Sequence, residues 1–153
     1  MKGRTWPAYG AAVWGVLFAL VHLYWALGGR AGLPADVSVK GSTPLLVISI
    51  VAVPLCLAAA VLALALVRPF GRIVGDSWLL AGAWAAAALM IVHAAPAVVV
   101  ATQHLLDADA GALTPEERYS WLLYEPYWLL GGGLFVLTAL SGRSTSDPRS
   151  PRG

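Results

Sequence analysis

Residues 44–67 read PLLVISIVAVPLCLAAAVLALALV and contain no charged side chain. A helix of about 20 apolar residues spans the ~30 Å hydrocarbon core of a bilayer, so this run is long enough to cross a membrane. Three further apolar runs of similar length lie at about residues 9–28, 78–101 and 119–140. None shows the strand alternation of a membrane barrel, and helices are the remaining way to satisfy the backbone in lipid. The sequence therefore predicts four transmembrane helices.

The composition of the 153-residue chain argues against a water-soluble fold. Hydrophobic residues make up 59% of the chain and charged residues 12%, whereas a soluble domain carries roughly 25% charged residues. A small domain in water cannot bury so much apolar surface. The sequence has no glycine-rich phosphate loop, no G-x-S-x-G and no zinc-type cysteine spacing, and we expect no nucleic-acid binding. The single cysteine, Cys56, lies in an apolar run and forms no internal disulfide.

The placement of lysine and arginine predicts the orientation, because cytoplasmic loops carry an excess of both residues. The predicted termini and second loop hold seven: Lys2, Arg4, Arg68, Arg72, Arg143, Arg149 and Arg152. The first and third loops hold three: Arg30, Lys40 and Arg118. We therefore expect an all-α integral membrane four-helix bundle over residues 1–140, with the N-terminus and C-terminus cytoplasmic. The expected location is the cell (plasma) membrane, as a multi-pass protein.

The ends of the helices carry further signals. The first run is longer than the 7–15 apolar residues of a signal-peptide core, so we expect this helix to be retained. Thr114 precedes Pro115 and two glutamates, which is typical of a capped helix start. The fourth helix is therefore expected to begin outside the membrane and to run inward. Residues 141–153 are rich in Ser, Pro and Arg, which predicts a disordered cytoplasmic tail.

Three ionisable residues lie inside predicted membrane helices, where such groups are costly and call for an explanation. They are His22, His93 and Glu125. Counting along each helix at 1.5 Å per residue places all three roughly 5–7 Å to the outer side of the midplane. Small residues share their faces, and small residues let membrane helices approach closely. We therefore expect the three side chains to point into the bundle and to form one polar layer.

The layer predicts a pocket that binds a lipophilic molecule or acts on it by acid/base chemistry. Glu125 is the expected proton donor or acceptor, and His22 and His93 would orient it or share its proton. The expected substrate-binding residues are aromatic: Tyr24, Trp25, Tyr124, Trp121 and Trp128. Pro96 and Pro126 lie at the same depth, where a kink would open space on the outer side.

Other interpretations of the same residues stay open. Glu125 pairing with a histidine would serve helix register alone, and many of the aromatic residues would then be interfacial anchors. The chain would in that case act as a non-catalytic accessory subunit of a membrane complex. Two histidines and a carboxylate are also a known metal-ligand set, and paired histidines in helical bundles can hold haem. No local ligand spacing supports either, and we predict no cofactor and no metal.

Two motifs carry a resemblance to a known family. The run His22-Leu23-Tyr24-Trp25-Ala26-Leu27-Gly28-Gly29, together with Tyr124-Glu125-Pro126-Tyr127-Trp128, resembles a family of small four-helix bacterial membrane proteins known only as a domain of unknown function. The resemblance covers roughly residues 8–140. It implies a helical fold and a location in the bacterial inner membrane, and it implies no activity. The expected partners are membrane lipid, a lipophilic small molecule, and a membrane protein or a second copy of the chain.

Overall fold

The computed structural model describes residues 5–107 and 111–143, in which all regular secondary structure is helical and no strand occurs. The helices are α1 (Trp6–Ala26), α2 (Thr43–Ala65), α3 (Asp76–Leu106), α4 (Pro115–Tyr119) and α5 (Glu125–Arg143). A 3-10 turn, Pro69–Ile73, lies between α2 and α3. A π-helical turn, Ser120–Tyr124, joins α4 to α5.

Three of these helices, α1, α2 and α3, are long and apolar enough to cross a membrane, among the residues described. The fourth predicted helix is present at residues 115–143, but the π-helical turn divides it. Proline supplies a reason for the interruption, since Pro126 has no N–H to donate to the preceding turn. Of the predicted tail, residues 141–143 continue α5, and residues 144–153 lie outside the described part of the chain.

The helices pack as two pairs, joined mainly by the α1–α5 interface and by a smaller contact between α2 and α3. Helix α1 packs along α2, α3 packs along α5, and α1 also packs against α5. In α2 the buried residues are small and include Ser49, Cys56, Ala60 and Ala63. An added Cβ at Gly15 of α1 would lie 2.8 Å from the Cys56 carbonyl oxygen. Small residues thus let α1 and α2 approach at backbone distance.

Most of the large aliphatic side chains of α2 point outward. Ile48 is 57% exposed, Leu55 62% and Val61 56%. This pattern, with small residues inside and large apolar residues outside, is the reverse of a water-soluble helix and leaves apolar surface that water would disfavour. It is the pattern expected where lipid surrounds the helices.

The capping signal before α4 is confirmed. The Thr114 N–H donates to Glu117 Oε2 at 2.8 Å, and the Glu117 N–H donates to Thr114 Oγ1 at 3.3 Å. These two bonds satisfy donors that a helix start leaves free. Hydrogen bonding to Thr114 lowers the pKa of the Glu117 carboxyl below its ordinary value.

One reciprocal contact fixes α1 against α5. The Trp14 Nε1–H donates to the Tyr127 carbonyl at 2.8 Å, and the Tyr127 hydroxyl donates to the Trp14 carbonyl at 3.0 Å. Trp14 is only 3% exposed. A Cβ built on Gly131 would lie 2.5 Å from Trp14 Cε2, whereas a Cβ on Gly133 would meet nothing within 4 Å. The absence of a side chain at residue 131 is what makes room for the indole.

We predict opposite effects for two alanine substitutions in this glycine run. Gly131→Ala forces the Trp14 indole to shift, which lowers the free energy of unfolding by about 1–3 kcal/mol, the usual cost of overpacking. Gly133→Ala leaves stability unchanged or raises it by up to about 1 kcal/mol through helix propensity. The midpoint of thermal unfolding in detergent measures the stability of each variant. Unfolding is detected by maleimide labelling of Cys56, which is buried in the folded protein. Equal midpoints for the two variants would contradict the proposed packing.

Candidate functional site

Four aromatic residues form a cluster between α1 and α5: Trp14, Phe18, Tyr127 and Trp128, called here the aromatic cluster. The Phe18 ring centroid lies 5.1 Å from those of both Tyr127 and Trp128, and 5.3 Å from that of Trp14. The Trp128 ring meets Phe18 edge-on at 87°. Such edge-to-face pairs add stabilisation beyond that from the apolar area they bury. The aromatic cluster therefore stabilises the α1–α5 interface.

His22 lies at one side of the aromatic cluster and is half-buried. Its ring centroid is 4.8 Å from that of Phe18 and 5.4 Å from that of Trp25. Its Nδ1 lies 3.4 Å from the hydroxyl oxygen of Ser49, which is 3% exposed on α2. His22 and Ser49 thus supply each other with a polar partner at the α1–α2 interface.

His93 contacts the aromatic cluster through a different residue. Its ring centroid lies 4.3 Å from that of Trp128, with the planes tilted by 39°. The side chain is exposed on the outer surface of α3. His93 therefore packs against Trp128 and is also accessible from outside the helix bundle.

Glu125 is held at the junction between the π-helical turn and α5. Its backbone N–H donates to the Ser120 carbonyl, the five-residue spacing of a π-helix. The Ser120 hydroxyl in turn donates to Glu125 Oε1 at 3.2 Å. The other carboxyl oxygen, Oε2, is buried and has no hydrogen-bond partner among the described residues. One carboxyl oxygen of Glu125 therefore accepts a hydrogen bond, and the other accepts none from the described residues.

The three predicted catalytic residues have separate partners. Within residues 5–107 and 111–143, no hydrogen bond joins His22, His93 and Glu125 to one another. The same residues contain no group of three or more His, Cys, Asp or Glu side chains placed to hold a metal ion. The ligand set required by the metal alternative is therefore not assembled there. An acid/base role for the three residues stays a prediction.

A groove of about 500 Å³ lies between α1 and the segment that joins α4 to α5. We call it the α1 groove. Its lining is almost wholly apolar or aromatic and comprises Leu17, Phe18, Leu20, Val21, Tyr24, Trp25, Ala31, Gly32, Leu123, Tyr124 and Tyr127. Three residues predicted to bind substrate, Tyr24, Trp25 and Tyr124, are among them. Trp121 and Trp128, predicted with them, do not line this groove.

The polar atoms of those three residues hold the loop that follows α1. The Trp25 Nε1–H donates to the Ala31 carbonyl at 2.9 Å, and the Ala31 N–H donates to the Tyr24 hydroxyl at 3.3 Å. The Tyr124 hydroxyl donates to the Gly32 carbonyl. Gly28 and Gly32 both take positive φ angles, 104° and 82°, which glycine adopts without a steric cost. The loop is thus folded back onto the mouth of the α1 groove.

A second cavity, of about 70 Å³, lies between α3 and α5. We call it the Glu125 cavity. Its lining residues are Ala97, Val98, Ala101, Trp121, Glu125, Pro126 and Leu129. The cavity is lined by Pro126 and by Ala97, the residue that follows Pro96. Pro96 and Pro126 are the two prolines at which the sequence predicts a kink. Neither His22 nor His93 lines this cavity or the α1 groove.

The two serines that bond the predicted site residues were missed by the sequence reasoning. Ser49 is the one hydroxyl residue in the apolar run 44–67, which is a signal for a partner inside the bundle. Ser120 stands five residues before Glu125. That spacing has meaning only in a π-helix, so an α-helical reading of the sequence does not bring the two residues together.

Comparison with known proteins identifies a family and no relative of known activity. The model of a family described as protein of unknown function (DUF3995) matches residues 15–135. This match covers most of the chain, so the chain belongs to that family, and the resemblance to a family of unknown function is confirmed. No curated protein and no solved structure matches the chain.

We predict that Tyr124→Phe loosens the loop after α1 without unfolding the helices. The substitution removes the hydroxyl that binds the Gly32 carbonyl, and a bond of this kind contributes about 0.5–1.5 kcal/mol. Local opening at residues 28–32 should therefore become roughly two- to tenfold more frequent, as measured by amide hydrogen exchange at Ala31. Tyr119→Phe is the matched control, because its ring stacks on Tyr124 with centroids 6.4 Å apart. Equal exchange in the two variants would show that Tyr124 does not hold the loop.

Proposed function

We propose that this member of a family of unknown function is a multi-pass protein of the plasma membrane that binds a small lipophilic molecule in the α1 groove. The observation that carries the proposal is the groove itself, whose lining presents carbon and aromatic rings to an occupant. Ligand sites in proteins are mostly apolar, with few polar groups.

The outward faces of the helices support the membrane part of the proposal. Helices α1, α2 and α3 have the length and hydropathy of membrane spans, and α2 presents Ile, Leu and Val side chains outward. We assign α5 as the fourth crossing, because it packs along α3 and against α1. The excess of lysine and arginine in the termini and second loop then favours a cytoplasmic position for both ends.

The hydrogen bonds around the α1 groove support a lipophilic occupant. The side-chain polar atoms of Tyr24, Trp25 and Tyr124 are bonded to the loop. The Tyr127 hydroxyl is bonded to the Trp14 carbonyl. A polar ligand would lose its bonds to water and find few replacements there. Binding is therefore a better match to the groove than acid/base turnover, since Glu125 and both histidines lie elsewhere.

A tryptophan placed in the groove should displace the occupant. Val21 lines the groove and is 38% exposed, so Val21→Trp fills space that a ligand would otherwise take. We expect crosslinking to a diazirine-bearing fatty acid to fall about tenfold, which corresponds to ~1.4 kcal/mol of binding free energy. Peptide mapping by mass spectrometry locates the crosslink, and solvent extraction of the purified protein identifies natural species that the variant no longer carries.

Val13→Trp is the matched control for this experiment. Val13 lies on the same helix and is 58% exposed, and it does not line the groove. The control should crosslink as well as the parent chain. Equal labelling of the Val21→Trp and Val13→Trp proteins, or crosslinks confined to other helices, would argue that lipid meets the protein without a specific site.

The proposed topology predicts opposite accessibility for the two ends of α2. Lys40 precedes α2, Arg72 follows it, and both are exposed. The chain's single cysteine, Cys56, is buried, so a cysteine introduced at either position can be labelled selectively. We expect a membrane-impermeant maleimide to label Lys40→Cys in intact spheroplasts and Arg72→Cys only after permeabilisation. Labelling of both in intact spheroplasts would exclude a crossing by α2.

A further inference from the structure

The Glu125 cavity contains an acceptor without a donor. Glu125 Oε1 already accepts from Ser120, while Oε2 is buried and has no hydrogen-bond partner among the described residues. A buried carboxyl oxygen without a hydrogen bond is costly. Among the other lining residues only Trp121 has a side-chain donor, and its indole N–H does not bond to Oε2. A donor brought by a ligand would remove this cost.

Local backbone geometry places Trp121 beside this carboxyl. The π-helical turn carries Trp121, and both Trp121 and Glu125 line the same cavity. The Trp121 ring also packs edge-on against His104, with ring centroids 5.3 Å apart. π-Helical turns are rare and frequently occur at functional sites. Here the turn and the first residue of α5 present an indole and a carboxyl to the same cavity.

We infer that the Glu125 cavity binds a primary ammonium group. A carboxylate oxygen accepts a charge-assisted hydrogen bond from an ammonium N–H, and an indole attracts a cation electrostatically. The volume of about 70 Å³ accommodates a group of a few heavy atoms and not a whole lipid. A terminal CH2–NH3+ group matches both the chemistry and the size of the cavity.

The depth of the cavity favours the headgroup of an ethanolamine lipid as the source of this group. Ala97 and Ala101 lie five to nine residues before Leu106, the last residue of α3. At 1.5 Å per residue the cavity is about 8–14 Å from that end of the helix, and α3 with 31 residues is longer than the ~30 Å hydrocarbon core requires. With α3 centred in the bilayer, the cavity lies ~9–15 Å from the midplane, near the outer boundary of the hydrocarbon core, where a lipid headgroup can reach it. This is shallower than the roughly 5–7 Å that counting along the fourth predicted helix gives for Glu125. This step rests on the proposed membrane position and is independent of the α1 groove.

The test compares two lipids that differ in one chemical property. Phosphatidylethanolamine has N–H donors, whereas phosphatidylcholine with the same acyl chains and the same net charge has none. The full chain is reconstituted in nanodiscs with equal amounts of both lipids, released into mild detergent, and analysed for retained lipid by native mass spectrometry. We expect about tenfold enrichment of phosphatidylethanolamine, the effect of one charge-assisted hydrogen bond.

Two variants assign the enrichment to the cavity. Glu125→Gln keeps the volume of the side chain and removes its charge, so the enrichment should disappear. Ala101→Leu fills the cavity from α3 and leaves the carboxyl in place, with the same expected result. Glu116→Gln, the same chemical change at an exposed position, should retain full enrichment. Heating curves for Cys56 labelling show whether each variant is folded.

The outcomes separate this inference from the proposed groove. Equal retention of both lipids by the parent chain, or unchanged enrichment in folded Glu125→Gln, would overturn the ammonium site. Val21→Trp should preserve the enrichment even though it blocks the α1 groove, so either proposal can fail alone. Displacement of bound phosphatidylethanolamine by millimolar ethanolamine would assign a free amine as the occupant, and resistance to displacement would assign the lipid headgroup.

Discussion

Trp14 and Tyr127 exchange hydrogen bonds across the α1–α5 interface, each side chain donating to the other's backbone carbonyl. In a helix surrounded by lipid no water is available to satisfy an indole N–H or a phenol hydroxyl, and each unsatisfied group costs free energy. The exchange satisfies both donors and fixes the rotation of α1 and α5 about their own axes. It depends on Gly131, since a methyl group there would occupy the space of the indole. Phe18 packs against both Trp14 and Tyr127, and Phe18 and Tyr127 line the α1 groove, so this arrangement shapes one wall of that groove.

The segment from Ser120 through α5 faces both cavities. Tyr124 and Tyr127 line the α1 groove, while Trp121, Glu125 and Pro126 line the Glu125 cavity. The π-helical turn has a part in this division, because its wider spacing changes which side chains share a face. The groove proposed to bind a lipophilic molecule and the cavity proposed to bind an ammonium group are therefore both lined by this one short segment. Both match the chemistry of a membrane lipid, which has an apolar and a polar part.

Part of the candidate site was predictable from residue type and depth. Ionisable groups are rare in apolar helices, so His22, His93 and Glu125 were visible in the sequence without any structure. Their partners were not, because depth along a helix says nothing about rotation around it. His22 turns to Ser49 on α2, His93 packs on Trp128 and remains exposed, and Glu125 bonds to Ser120. The aromatic residues of the α1 groove were predicted as ligand contacts, and the structure adds that their polar atoms hold a loop.

Apolar runs in the sequence by themselves determined that the chain is helical and where its long helices lie, because a backbone without water must bond to itself and about 20 residues reach across a bilayer. The helix start at Thr114 was equally local, since its capping bonds span only three residues. Only the tertiary structure decided three features: the π-helical turn at Ser120–Tyr124, the packing of Trp14 against Gly131, and the residues that line each cavity. The contact of Trp14 with Tyr127 joins residues 113 positions apart. The cavities depend on side-chain volumes from different helices that must fit together in three dimensions, and the π-helical spacing changes which residues share a face.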